Sequence, residues 1–344
     1  AGGLILINID GGATTVNADT HLLPAIHVNA TDGETIVDWL SSGTDHTATI
    51  TGAEITKDET LGDIAGYFTS RGPNEPYTNI FSPDIAGPGV DIYAAMADDA
   101  PFTEDAQTAP YTTMSGTSMS SPHVAGALAL IYSVHPDCTP AQAQSAIMST
   151  AHKLTYTDDG GDGELLRSDF FDQGAGSIRV NNAINAGLLL DISIDEYLAA
   201  DPYLSGDPRT LNSTSMVDNE CITSCSWTRT VTATKDATWT ASYELLNPGF
   251  ELEVSPATFT LKAGESQELT ITASSNANLV HEWVHGYVDL TPSDSSISNA
   301  HLQATIAFKA GVVVNRVTGD VNNVTNEIVI EDIVTSGSND LQTK

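Results

Sequence analysis

The feature that most restricts the fold of this chain is a change of pattern near Asp201. Beyond it, threonine, serine and valine alternate with period two in TRTVTAT, WTASYEL, ELEVSP, ATFTL, QELTITAS and WVHGYVDL. Successive strand residues point to opposite faces, so this is the pattern of strands buried on one side. Turn signals at Asn247-Pro248-Gly249 and Ala263-Gly264 separate six or seven such runs. Residues 196–310 are therefore expected to form an antiparallel β-sandwich that folds on its own. The part before it is of another kind, and a chain of 344 residues has room for two to three compact units.

That first part reads as α/β material. LILINI and LLPAIHV are strand-like runs either side of a turn at Gly11 and Gly12, and IVDWLSS predicts a helix from Ile36 that stops at Gly43. Between Gly52 and Gly89 the density of glycine and proline marks fixed turns, and VDIYAAM is a strand. Met119 to Val134 is interrupted only by Ser120, Ser121, His123, Tyr132 and Ser133, which predicts a helix buried nearly all round. Thr139-Pro140 caps a second helix, and Gly174-Ala175-Gly176 precedes a third, short one ending near Gly187.

Composition limits the partners. With 45 Asp+Glu against 12 Lys+Arg the formal charge is -33, and no basic cluster could follow a phosphate backbone. Such a surface stays soluble and repels itself, a cost that salt screens. No apolar run is long enough for a bilayer span, and AGGLILINIDGG lacks the basic start of a signal peptide and reads as a cut through a domain. Cys221 and Cys225 are spaced for a local bridge in an oxidising compartment, two free thiols being the alternative. Cys138 follows a helix as a small, partly buried side chain.

The chemistry-bearing segment is Met114-Ser115-Gly116-Thr117-Ser118-Met119-Ser120-Ser121-Pro122-His123-Val124-Ala125-Gly126. A glycine turn leads directly into the apolar helix, so Ser118 sits beside unpaired backbone N–H groups and the positive end of the helix dipole, where an oxyanion is stabilised. A serine in such a place is more often a simple cap. The surrounding string argues for more.

GTSMSSPHVAG resembles the active-site serine motif of the subtilisin family of serine proteases, with Ser118 at the nucleophile position. FTSRGPN, SPDIAGPGVDIYAAM, HPDCTPAQAQSAIMSTA and QGAGSIRVNNAINAGLLLD are similar to further segments of that family, Cys138 standing where tryptophan is common. The resemblance covers about residues 60–190. Residues 1–50 resemble the end of a protease-associated insert, and LNSTSM, TRTVTAT and LEVSPATFTLKAGESQELTITAS resemble the fibronectin type III-like domain that follows the catalytic domain. The resemblance implies an incomplete subtilisin-like α/β catalytic portion at 51–195, then the sandwich. Residues 311–344 are a linker or the start of a further domain. It also implies a secreted or cell-surface endopeptidase acting on polypeptides, with no cofactor required for chemistry. Its catalytic aspartate, histidine and oxyanion asparagine have no counterpart in this sequence.

No other residue replaces them. His123 lies five positions after Ser118, about 140° around the helix, and His135 seventeen positions on, about 25 Å along it. His21, His27, His281 and His285 are assigned surface or packing roles, and Ser120 and Ser121 are read as helix-start hydroxyls. Asp158, Asp159, Asp162 and Glu164 form an acidic glycine loop that is a candidate for structural calcium, although it lacks EF-hand spacing and a solvated loop is the simpler reading. Two rivals remain. An α/β-hydrolase elbow would read G-x-S-x-G, but residue 120 is serine. A non-catalytic surface binding protein on a decayed protease scaffold is the other.

Overall fold

The computed structural model describes residues 2–8, 21–52, 57, 62–97, 110–153, 155–158, 165–275 and 283–309, together with strands at 311–317 and 330–336. The first part opens with a parallel pair, β1 (Leu4–Ile7) and β2 (Ala25–Val28), and helix α1 (Ala30–Ser41). This helix starts six residues before the expected Ile36, because Asn29 caps it by accepting a hydrogen bond from the Asp32 N–H at 2.8 Å. Apolar periodicity alone misses that polar first turn. The turn at Gly11 and Gly12 lies outside the described residues.

Next come β3 (Ile64–Ala65), the hairpin strands β4 (Ile92–Ala95) and β5 (Tyr111–Met114), and helices α2 (Thr117–Val134) and α3 (Pro140–Ser149). Thr139 and Gln142 form a reciprocal capping box at the head of α3. Strand β6 (Tyr156–Asp158) pairs parallel with β3 and antiparallel with β7 (Leu165–Arg167). Short helices α4 (Phe170–Gln173) and α5 (Val180–Ala183) follow. Between them Gly174, at φ 63°, threads against the backbone of Asp84, where a Cβ would lie 2.4 Å from its carbonyl carbon. Only glycine fits there.

A small core of Ala127, Ile131, Ala143, Ile147 and Met148 joins α2 to α3, and Cys138 packs against it. Helix α2 departs from the expected all-round burial. Ala127 and Ile131 are buried, but Leu130 and Val134 are 57% and 53% exposed. Its described neighbours cover one side of the helix, so its other apolar faces stay open.

Strand β8 (Leu188–Leu189) and helix α6 (Ile194–Ala199) lead to the sandwich strands: β9 (Ser215–Cys221), β10 (Ser224–Ala233), β11 (Ala237–Leu245), β12 (Glu251–Ser255), β13 (Thr258–Leu261), β14 (Ser266–Ser274), β15 (Trp283–Pro292) and β16 (Ala300–Phe308). One sheet has the order β12-β14-β10-β8 and the other β13-β11-β15-β16-β9. The pairing is antiparallel except between β9 and β16, which run parallel with Gln303 opposite Ser215. That pair corrects the wholly antiparallel expectation: β9 enters at the sheet edge from a long connection, where no hairpin dictates its direction. Trp239, Leu269, Ile271, Val288, Leu290, Leu302 and Ile306 fill the space between the sheets. Cys221 and Cys225 form a disulfide at the β9–β10 corner. Beyond the sandwich, β17 (Gly311–Val317) and β18 (Ile330–Ser336) pair antiparallel.

The two parts share a seam. Every residue of β16 is buried, so this strand is covered on both faces. Phe170 of α4 packs edge-on against Tyr287 at 4.6 Å between ring centres, and Phe171 against Trp283 at 5.3 Å. His301 donates from Nε2 to the Ala175 carbonyl at 3.2 Å. Lys153 Nζ lies 2.8 Å from both Glu244 and Asp289, and Arg167 reaches Glu244 at 2.7 Å. Leu188 and Leu190, which precede the expected boundary at 196, belong to the sandwich core. The sandwich thus shares its surface with the chain before it, and residues 188–190 of that chain contribute to its core.

Candidate active site

Strand β5 delivers the chain to Gly116, whose φ of 155° and ψ of 161° lie where side chains are disfavoured. Helix α2 begins at the next residue, and Ser118 is its second residue, exposed to solvent. No side chain caps this end. The N–H groups of Met119 and Ser120 reach back to the Gly116 carbonyl at 3.0 and 3.3 Å. Ser118 N–H has no intrahelical carbonyl in reach and stands beside its own hydroxyl at the positive end of an 18-residue helix. Pro122 supplies no N–H, so the Ser118 carbonyl also lacks its usual i+4 donor. A negative oxygen brought to this point meets a backbone donor and a favourable dipole.

Loop 87–91 holds the turn from the side. Ser120 Oγ donates to the Gly87 carbonyl at 2.9 Å, Gly116 N–H to the Gly89 carbonyl at 2.8 Å, and Asp91 N–H to Ser115 Oγ at 2.8 Å. Ser115 Oγ in turn donates to Asp91 Oδ1 at 3.2 Å. A Cβ on Gly89 would sit 2.9 Å from the Gly116 carbonyl oxygen, so the loop approaches as closely as glycine permits. Ser120 is therefore more than a helix-start hydroxyl: it ties the helix to a loop 33 residues earlier.

A cavity of about 790 Å³ opens beside the turn, lined among others by Phe68, Gly87, Thr117, Ser121 and Leu128. Asp63 also lines the cavity, and its Oδ2 lies 2.5 Å from Arg179 Nη2 and 4.0 Å from His152 Nε2. Burial acts to raise the Asp63 carboxyl, but bonds from Ser177 and Arg179 outweigh it and hold the group below its ordinary value. Arg71 pairs with Asp169 at 2.9 Å and with Asp172, fixing the start of α4.

The remaining sequence candidates fall apart from Ser118. His123 Nδ1 bonds the Met119 carbonyl at 2.7 Å, one turn back along its own helix, and His135 Nε2 bonds the Ile184 carbonyl at 2.8 Å. His285 is buried between Phe170 and Phe171, the packing role expected for it. His281 and the acidic residues Asp159, Asp162 and Glu164 lie outside the described residues. Among the described residues no cluster of three or more metal-ligating side chains occurs. Nor is any described helix long and apolar enough to cross a membrane. Sequence reading overlooked Ser115, Asp91 and Asp63, whose contacts span 24 to 116 residues and leave no local pattern.

An α/β unit whose longest described helix opens on the exposed Ser118, followed by a β-sandwich, defines a two-part protein. The Subtilase family model matches residues 8–176, and the Fibronectin type-III domain model residues 210–301. The chain belongs to the subtilase family. It is 33% identical over 304 residues to Subtilisin-like protease SBT1.7 of Arabidopsis thaliana, covering 78% of this chain and 40% of that protein. Against SBT4.9 of the same plant it is 32% identical, covering 77% and 42%, and against SBT1.3 it is 37% identical, covering 57% and 26%. The chain thus spans less than half the length of these relatives.

Proposed function

We propose that this chain is the C-terminal part of a secreted or cell-surface serine endopeptidase, in which Ser118 is the nucleophile toward polypeptide substrates. The observation that carries the reading is the exposed Ser118 hydroxyl beside its own N–H, which has no partner among the described residues, at the head of α2 within the string GTSMSSPHVAG. In the complete enzyme Ser118 Oγ attacks the scissile carbonyl carbon, and a histidine from the upstream half takes its proton while an upstream aspartate orients that histidine. Ser118 N–H is one oxyanion donor and an upstream asparagine the other. The open faces of α2 and the cavity beside it are where that upstream half packs. Residues 1–50 are assigned to the end of a protease-associated insert, 51–195 to the catalytic portion, and 196–310 to the fibronectin type III-like domain, with its first core residues supplied by 188–190. Chemistry needs no cofactor.

The test is turnover of a chromogenic peptide by three samples: the longer protein, its Ser118→Ala variant, and the 344-residue chain alone. Ser118→Ala should lower hydrolysis by at least about a thousandfold. The chain alone should show none, because no general base contacts Ser118 among the described residues. Serine-dependent turnover by the chain would reveal a base within it, and full activity in the Ser118→Ala variant would sink the assignment. A longer protein without any turnover would favour a non-catalytic binding role.

A further inference from the structure

We propose that Ser115 and Asp91 act as a positioning pair for Ser118, setting the pitch of the Gly116 turn without touching substrate; the inference rests on the nucleophile reading above. Three contacts tie the turn to loop 87–91, and two of them end on backbone carbonyls, one from the Gly116 N–H and one from the Ser120 hydroxyl. The third contact is different. Ser115 Oγ accepts the Asp91 N–H at 2.8 Å and donates to Asp91 Oδ1 at 3.2 Å, so one hydroxyl grips both the backbone and the side chain of a single residue.

Asp91 is held at φ 51°, a left-handed conformation that a non-glycine residue adopts at a cost and that aspartate tolerates better than most. It stands directly before β4, whose Ile92 pairs with Met114 of β5, so the register of the hairpin and the angle of the turn meet at this one contact. Ser115 follows Met114 and precedes Gly116. Gly116 itself, without a side chain, cannot fix its own dihedral angles. Rotation there moves Ser118 Oγ and N–H together. The Ser115–Asp91 bonds remove that rotation from the strand side, as the Gly89 carbonyl does from the loop side. Both residues are exposed, so their bonds contribute modestly to overall stability. A displacement of about 1 Å at a reacting group, by contrast, costs up to a hundredfold in rate. The pair should therefore be read in catalysis more than in melting.

The experiment compares Ser115→Ala, Asp91→Ala, the double variant, Ser115→Thr and Asp91→Asn in the longer protein, each assayed well below its melting temperature. Each alanine variant should lose about tenfold in kcat with KM within about twofold of wild type. The double variant should lose no more than the worse single one, since the two residues act through one contact. Ser115→Thr and Asp91→Asn keep the hydroxyl, the acceptor and the tolerance of positive φ, and should stay within about threefold of wild type. A kcat unchanged in Ser115→Ala, losses that multiply in the double variant, or a loss confined to KM would each overturn the proposal. An inert wild type would overturn the nucleophile reading and this assignment with it, a result distinct from an active wild type with indifferent variants. Hydrogen exchange in the 344-residue chain gives a readout independent of activity. Ser115→Ala should speed exchange of the Gly116 amide about tenfold while leaving Ala127 and Ile131 unchanged. Unaltered protection at Gly116 would also overturn the clamp.

Discussion

The ammonium of Lys153 lies 2.8 Å from a carboxylate oxygen of Asp289 and 4.6 Å from the centre of the Tyr287 ring, so one cation of the α/β part is anchored on the sandwich twice over. Glu244 completes the site at 2.8 Å and is shared with Arg167. In a chain with 12 Lys+Arg, two of them meet at this seam. Lys153→Met keeps the stem but leaves Glu244 and Asp289 facing each other with one cation. It should lower unfolding stability by about 1–2 kcal/mol, since the groups are only partly buried and water screens them. Urea unfolding checks this, and an unchanged midpoint would show that the seam does not depend on the ion pairs.

The sandwich should melt differently according to where it is cut. Residues 196–310 alone lack Leu188 and Leu190 and expose Tyr287, His301, Gln303 and Thr305, which are at most 4% accessible in the chain. A segment starting at Ala186 restores β8 and the missing core residues. The longer segment is expected to be more stable by about 2–4 kcal/mol, the cost of removing large buried side chains. Equal melting temperatures for the two would show that β8 adds nothing.

Charge and seam pull in opposite directions with salt. Screening relieves repulsion among the carboxylates behind the net charge of -33, and it also weakens the Lys153 and Arg167 pairs. The 45 Asp+Glu are scattered along the whole sequence, whereas the seam holds only a few pairs. The melting temperature should therefore rise by roughly 5 °C between low salt and about 1 M. A fall would mean that the seam governs unfolding.

Local signals made parts of this fold legible, and long-range ones did not. Thr139-Pro140 marks the start of α3 because a cap and a first-turn proline act within four residues. The four-residue spacing of Cys221 and Cys225 allowed their bridge, and period two marked the sandwich strands. Ser118 was legible as part of a contiguous string. The Ser115–Asp91 contact was not, because it joins residues 24 apart through side chains of ordinary type. The same holds for Lys153 and Asp289, 136 residues apart. The exposure of α2 ran against its composition, since apolarity states what a helix needs to cover and not whether the described chain covers it.

Acid should loosen the seam through its two buried histidines. Burial pushes His285 down to about 4, with Asp169 raising it and Arg71 lowering it. Burial pushes His301 down to about 3, helped by Lys153 and opposed by its bond to the Ala175 carbonyl and by Glu244. Both are neutral in the folded chain well below their unfolded value of about 6.5. Between those limits the unfolded chain binds more protons, so stability rises with pH there and is lost as pH falls from about 6.5. Glu244 adds the same sign at lower pH: burial would raise its carboxyl, but Lys153 and Arg167 hold it below its ordinary value. Its contribution is present above the unfolded carboxylate range and is lost as pH falls through the lowered value. The melting temperature should drop by roughly 5–10 °C between pH 6.5 and pH 4.5. His301→Gln, which keeps a donor toward Ala175 and cannot titrate, should flatten that slope although it lowers the plateau at neutral pH. An equal slope in wild type and variant would show that His301 is not a source of the acid sensitivity.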